Sequence, residues 1–507
     1  MDPDVVDDVV VGSGPTAWAA CMGVWARGGK PVVVDSGYTA SNFGSESVVQ
    51  DAQIKSKSQF GSEYMYTFPC RSLGIVPPQG VIPLSGALGG LSTVWGAGIQ
   101  PVSTADLSGV PAYLSRDWLD ASEQLLREID FLGRDDLLSL RDPWPVSPKD
   151  EVVMSARFKK VLQRAEKLVD KKFLDTVYGS PRLAIKGSKD RNQSGACVIC
   201  GDCMVGCPEG SIFDSGREIL KRIEDVGGEY LQGVVTQIIS DKSNELDQKG
   251  AVTLLVEDRN GKTRRIKARR LYLAAGAIGS PALLQRSALA PQHLEVKDSQ
   301  MFYGAFLSVD SRNAAEEIMT TSQGYFSTTK SVSLRDEFSM SVYEYSTDFQ
   351  ARLEQFVPVP LRPLIQLAKP VMKNIFPGIG FLSQDVSGSI HLDYDGNETK
   401  VTLVNNTETS KAIQNAMRRI ARTSRHLGLF RLPNPFKAPN VGAGFHAGAS
   451  MPMGDGLHNL VDWKGRLRSE PRIHIVDASS LMRIKAGSHT FMAMANAYRI
   501  AVNPSGE

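Results

Sequence analysis

The 507-residue sequence contains no uninterrupted apolar run approaching the ~18–20 residues of a membrane-spanning helix. It carries almost no net charge. Lys and Arg number 57 against 55 Asp and Glu, a formal +2, which excludes a strongly basic nucleic-acid binder but leaves room for a local basic patch. Charged residues are 22% and hydrophobic residues 42%, near the globular average, so collagenous, coiled-coil and largely disordered chains are excluded. Cysteine is scarce: there are six, and four are crowded between Cys197 and Cys207. That distribution excludes a disulfide framework and points to a local metal or redox site. The opening MDPDVVDDVVVGSG lacks the basic start and apolar stretch of a signal peptide, so a cytoplasmic protein with reduced thiols is expected. Internal repeats and low-complexity tracts are also missing. The length allows about three domains, or two large ones.

The first fifty residues carry a complete motif. Asp8-Val9-Val10-Val11 reads as a buried parallel strand. Gly12-Ser13-Gly14-Pro15-Thr16-Ala17 follows, then a helical stretch to Ala26 and a second strand, Pro31-Val32-Val33-Val34, ending at Asp35. This is strand, Gly-x-Gly-x-x-Ala turn, helix, strand, acid. Gly12 permits the tight turn, Gly14 admits a pyrophosphate to the backbone, and Ala17 is small enough for helix–strand packing. Pro15 and Thr16 open a helix whose free N–H groups face the anion, and Asp35 stands where an acid bonds a ribose hydroxyl. The pattern predicts dinucleotide binding and does not separate FAD from NAD.

A second glycine-rich segment, Gly86 to Gly98, runs Gly-Ala-Leu-Gly89-Gly90-Leu-Ser92-Thr-Val94-Trp95-Gly96-Ala-Gly without a charged residue. Such a loop can press its backbone against a flat ligand. With it, the chain resembles the glucose–methanol–choline (GMC) flavoprotein oxidoreductases. Three further segments carry the likeness: Leu273 to Pro281 (LAAGAIGSP), Gly444 to Gly454 (GFHAGASMPMG), and Val476 to Ser479 followed by Gly487-Ser488-His489-Thr490. The resemblance implies an α/β fold. A Rossmann-like FAD-binding domain of GMC topology would join a substrate domain built on an antiparallel sheet. It also implies an FAD site: Gly12, Gly14, Pro15, Thr16, Ala17 and Asp35 with Gly89, Gly90, Ser92, Val94, Trp95 and Gly96. Val235 would lie near the adenine, Ala275 and Gly276 in the second signature, and Asp477 and Ala478 along the ribityl and pyrophosphate. The helix opening at Thr490 would aim its N-terminus at the flavin N1–C2=O edge, where negative charge develops.

Alcohol oxidation needs a base for the hydroxyl proton and a flavin for the hydride. Of seven histidines, His446 and His489 alone sit in glycine-rich, nearly uncharged segments that match the family's catalytic pair. The resemblance makes His446 the general base and His489 the group that holds the substrate oxygen.

Cys197, Cys200, Cys203 and Cys207 read C-x2-C-x2-C-x3-C-P, the bacterial ferredoxin spacing. The run is expected to hold one Fe–S cluster (4Fe-4S or 3Fe-4S), with zinc and a metal-free packed loop as alternatives. Two-cluster ferredoxins send the fourth cysteine to a second cluster, and no second run exists. Cys207 would therefore fold back, or Cys70 would complete the set, while Cys21 falls in the first helix. A cluster would favour a dehydrogenase with a protein or quinone acceptor over an oxidase.

Residues 1–110, 190–290 and 440–507 are expected to form a discontinuous FAD-binding domain, and 111–189 with 291–439 the substrate domain. Alternating segments at 339–345, 387–392 and 400–404 read as strands of one antiparallel sheet. The basic, apolar, proline-broken segment 353–381 is expected to be a lid over the flavin, or a peripheral membrane contact. The expected substrate is a small neutral alcohol, a sugar, glycoside or glycosylated natural product, with a sterol or other lipid alcohol as the alternative. An electron-transfer flavoprotein with structural histidines is a reading of another class. A pyridine-nucleotide disulfide reductase is disfavoured because no second glycine fingerprint appears between residues 100 and 300.

Overall fold

The computed structural model describes residues 5–38, 67–78, 82–140, 142–168, 175–187, 195–201, 203, 207–240, 250–310, 319–329, 332–345, 372–433 and 438–504. Strand Val5–Val11, helix Pro15–Ala26 and strand Val32–Asp35 form a parallel βαβ unit. The helix is buried from Ala17 through Trp25 because it is apolar on every side, the pattern of a helix enclosed within a core. Its outer neighbour is helix Thr490–Val502. The two pack so closely at Gly23 that a Cβ there would lie 2.8 Å from Ala501 Cβ and from the Tyr498 carbonyl.

The first strand sits centrally in an eight-stranded sheet. The parallel core runs Glu470–Ile475, Thr263–Leu273, Val5–Val11, Val32–Asp35, Glu229–Gln232, and an antiparallel flap of Val234–Ser240 and Val252–Glu257 hangs from Thr263–Leu273. Valine-rich strands buried on both faces suit such a core.

Two further sheets complete the described architecture. A six-stranded antiparallel sheet has the order Leu429–Arg431, Met301–Ser308, Ile375–Leu382, Phe338–Val342, Gly324–Thr328, Thr176–Gly179. One face carries Phe302, Phe306, Phe326, Phe338, Met340 and Phe376, and Phe158 of helix Ala156–Glu166 stacks on Phe376 at 4.3 Å. A five-stranded sheet has the order Ala447–Gly448, His293–Asp298, Ser389–Tyr394, Thr399–Val404, Ile75–Val76. The three alternating segments therefore do not share one sheet: 339–345 contributes to the first and the other two to the second. Alternation fixes which side chains share a face, whereas partner choice depends on distant pairing.

The second glycine signature is itself mostly helical, since helix Gly276–Arg286 begins at Gly276. One other expectation changes. Within 353–381, Ile375 onward is a central strand of the six-stranded sheet, paired on both sides, so this part is not a lid; residues 353–371 lie outside the described residues. No described helix is long and apolar enough to cross a membrane.

His474, on Glu470–Ile475, is 2% exposed and its ring lies 5.2 Å from that of Tyr272 on the adjacent strand. Burial holds its imidazole down to about 4, so the folded chain keeps it neutral where an unfolded chain protonates it. Its contribution is complete above the unfolded value near 6.5 and is lost as pH falls toward 4. At about 1.4 kcal/mol per unit, the loss approaches roughly 3 kcal/mol. His474→Phe is expected to flatten the fall in Tm between pH 6.5 and 4, measured by calorimetry across that window.

Candidate active site

The cradle for a dinucleotide is built by loops that meet without side chains between them. Gly12, with φ +107°, crosses so close to the strand Thr263–Leu273 that a Cβ would sit 2.5 Å from the Ala274 carbonyl oxygen. Gly90 faces Gly14, where a Cβ would lie 3.1 Å from the Gly14 Cα, and the Gly89 N–H donates to Ser13 Oγ at 2.8 Å. The two glycine-rich segments are thus one junction. Gly14 precedes helix Pro15–Ala26, and a Cβ on Gly14 would meet nothing within 4 Å. The same holds at Gly96 and at Gly276, which starts its helix with φ +86°. These open volumes at two helix N-termini, with the N–H groups of Thr16 and Ala17 in the first turn, leave room for an anionic group such as a pyrophosphate. Asp35 ends its strand almost buried. Its carboxylate accepts from the Gly37 N–H at 2.8 Å and the Tyr230 hydroxyl at 3.4 Å, while burial pushes its pKa up to about 6.

Ser92 and Trp95 fasten this junction from the second loop. Ser92 Oγ donates to the Gly89 carbonyl at 2.6 Å, and Trp95 Nε1 donates to the Phe213 carbonyl at 3.0 Å; Val94 lies between them. Asp477 is fully engaged, accepting from the Gly276 N–H at 2.9 Å, the Ser479 N–H at 2.9 Å and the Ser280 hydroxyl. Its carboxylate therefore ties the chain segment of Ala478 to the Ala275–Gly276 signature. Val235 is buried opposite Val256, and none of the hydrogen bonds joining the described loops involves it.

Sequence reasoning missed Asp214, Ser215 and Gly216. Asp214 caps helix Ser215–Val226, and Ser215 Oγ donates to the Ser13 carbonyl at 2.8 Å. A Cβ on Gly216 would lie 2.5 Å from the Gly89 nitrogen. The available signal was Asp-Ser-Gly ahead of an amphipathic run, a helix start with a small residue in its first turn.

His446 and His489 are brought together from opposite sides. His446 follows Phe445, held at φ +56°, and precedes the short strand Ala447–Gly448. His489 stands at the N-cap of helix Thr490–Val502. The rings meet edge to face, centroids 5.6 Å apart, and Phe381 lies against His446 at 4.1 Å. Each Nδ1 is buried without a hydrogen-bond partner among the described residues. Burial, and then His489, holds His446 down to about 3; burial, and then the Lys485 ammonium, holds His489 down to about 4, against the pull of backbone groups at Ala447 and Gly487. Both are neutral imidazoles at neutral pH, able to accept a proton.

The four cysteines of the run differ in burial. Cys197 is buried, Cys203 and Cys207 partly so, and Cys200 exposed. The Ser211 N–H donates to Cys207 Sγ at 3.2 Å, and burial raises the Cys197 and Cys203 thiols, with neighbouring thiols adding to it. Among the described residues no group of three or more His, Cys, Asp or Glu side chains is arranged to hold a metal ion. Cys70 is buried in helix Thr67–Leu73 with its thiol pushed up to about 11, and Cys21 is in the core.

Losing the bonds at Asp35 should weaken cofactor retention. A hydrogen bond to a charged group contributes about 1.5–3 kcal/mol, so Asp35→Ala is expected to raise the FAD Kd by about tenfold or more. Flavin fluorescence during titration of the apoprotein measures it.

Residues 140–302 match the model of the GMC oxidoreductase family. No curated protein matches the chain. Among solved structures, pyridoxine 4-oxidase from Mesorbium loti aligns with a TM-score of 0.57, covering 99% of each chain at 13% identity, a likeness of fold. The glycine junction and the family match point the same way: over residues 140–302 the chain is similar to the GMC oxidoreductases, FAD-dependent enzymes of alcohol oxidation.

Proposed function

We propose that this enzyme oxidises a CH–OH group of a neutral sugar or glycoside, with His446 as the base. The observation that carries the reading is the edge-to-face pair of neutral imidazoles beside the cradle, each with an unpartnered Nδ1 among the described residues. FAD, when bound, supplies the hydride acceptor. His446 takes the hydroxyl proton, and His489 holds the same oxygen in line. The helix behind His489 points its N-terminus into the site, which disfavours a protonated imidazole there and keeps His489 neutral.

The substrate class is supported by the second face of the six-stranded sheet. Strand alternation sets Met301, Tyr303, Ile379, Phe381, Ser339 and Tyr325 opposite the buried phenylalanine face. Phe381 touches His446, and Gly487 lies against Ser339 and Tyr325. Aromatic rings with hydroxyls and no charged side chain in these positions suit a neutral, hydroxylated ring. Met301, Ile379 and Phe381 favour a second reading, a sterol or lipid alcohol.

Anaerobic bleaching of the flavin by a panel of sugars, glycosides, a sterol and pyridoxine tests the class; bleaching by the sterol alone overturns the sugar reading. His446→Ala is expected to keep its flavin and lose bleaching by about 100-fold or more. Bleaching that persists in that variant removes His446 as the base; a wild type that passes electrons through its flavin yet is bleached by no alcohol favours the electron-transfer reading. With the base depressed to about 3, the acid limb of kcat/KM in the free enzyme is expected well below the 6.5 of an ordinary histidine.

No electron step is drawn through the cysteine run. A cluster there, feeding a protein or quinone acceptor, is a separate proposal resting on the spacing and on the mutual influence of the thiols. Iron and sulfide assay of anaerobically purified protein decides it: flavin without iron removes the cluster.

A further inference from the structure

His446 lies on a chain segment held in an unusual conformation. Gly442 has φ +81° and Phe445 φ +56°, and an aromatic residue stays in the left-handed region only where its surroundings enforce it. The surroundings are three consecutive residues where strand His293–Asp298 passes into Met301–Ser308. The Asp298 carboxylate accepts from the Gly442 N–H at 3.0 Å. The Ser299 N–H donates to the His446 carbonyl at 2.9 Å. Gln300 Nε2 donates to the Pro439 carbonyl at 2.6 Å.

The turn is itself pinned to both neighbouring sheets. Asp298 is register partner of Ala447, Ser299 Oγ donates to the Leu382 carbonyl at 2.8 Å, and the Gln300 N–H donates to Ser387 Oγ at 2.9 Å. Leu382 directly follows Phe381, whose ring lies on His446. One tripeptide therefore fixes the backbone of the base and the aromatic wall beside it.

We infer that Asp298-Ser299-Gln300 is a clasp that positions His446, with Asp298 as its principal positioning residue. This rests on His446 being the base. Asp298 is 1% exposed, and its Oδ1 has no hydrogen-bond partner among the described residues. Burial pushes the carboxyl up to about 7 against the pull of the Gly442 and Ser299 N–H groups. The function lies in the oxygen that accepts from Gly442, not in the charge. An amide supplies the same oxygen.

The test compares Asp298→Ala, Asp298→Asn and Gln300→Met as FAD-loaded enzymes with a substrate that bleaches the wild type. A shift of the base by about 1 Å costs on the order of 100-fold in rate. Asp298→Ala is expected to lower kcat by about 10- to 100-fold with KM within about threefold and flavin content unchanged. Asp298→Asn is expected to recover most of that kcat. Gln300→Met, which removes the outer anchor, is expected to fall between them and reports if Asp298→Ala fails to fold. Wild-type kcat in both Asp298→Ala and Gln300→Met overturns the clasp. So does an Asn variant as slow as the Ala variant, because charge would then matter. If His446→Ala bleaches normally, the assignment of the base fails, whereas loss in His446→Ala with full activity in the clasp variants sinks the clasp alone.

Discussion

Everything in the cofactor region depends on backbones approaching where no side chain can stand. Gly12 against Ala274, Gly90 against Gly14 and Gly216 against Gly89 are three separate crossings. Each joins segments distant in sequence. An added methyl at Gly12 or Gly216 would collide with backbone at 2.5 Å, and backbone cannot step aside as a flexible side chain can. The glycines thus set how near the first strand, the second glycine-rich loop and helix Ser215–Val226 come to one another. That spacing leaves the open volume at Gly14, Gly96 and Gly276.

The chemistry inherits this arrangement from two sides. His489 is carried by the helix that packs on Pro15–Ala26, and its neighbour Ser488 donates to the Gly98 carbonyl at 2.6 Å. Lys485, nearly buried, bonds Asp106 at 2.8 Å beyond the same loop. His446 is carried by the edge of the five-stranded sheet and faces a wall from the six-stranded one. Neither imidazole is placed by its own segment alone. Their low pKa values follow from this enclosure, since burial removes the water that would solvate an imidazolium.

What could be read from the sequence was what glycine and histidine make unavoidable. Gly12, Gly89 and Gly90 announce themselves because left-handed angles and close crossings exclude other residues. The βαβ unit and the two histidine segments were legible for the same local reason. The division of the strands between two sheets was not, because alternation in 387–392 and 400–404 says which residues share a face and nothing about partners. The helix at Gly276 was hidden by Pro281 and by its run of glycine and alanine, weak signals of helix that tertiary packing overrides. Asp298 was invisible for a simpler reason: a lone acid at a strand end resembles any surface carboxylate until the Gly442 N–H is found opposite it. The ferredoxin spacing is legible too, but spacing along a chain does not by itself require four sulfurs to converge on one ion.

The packing of Thr490–Val502 on Pro15–Ala26 has a consequence for the protein's birth. Gly23 and Ala501 touch, and Trp118 Nε1 donates to the Met492 carbonyl at 3.0 Å, so the last helix is covered by early and middle segments alike. A ribosome adding about 5–20 residues per second needs on the order of half a minute or longer to deliver it. During that time the side of Pro15–Ala26 that Thr490–Val502 covers stays open, while strand Val5–Val11 and helix Ser215–Val226 can already pack on its other sides.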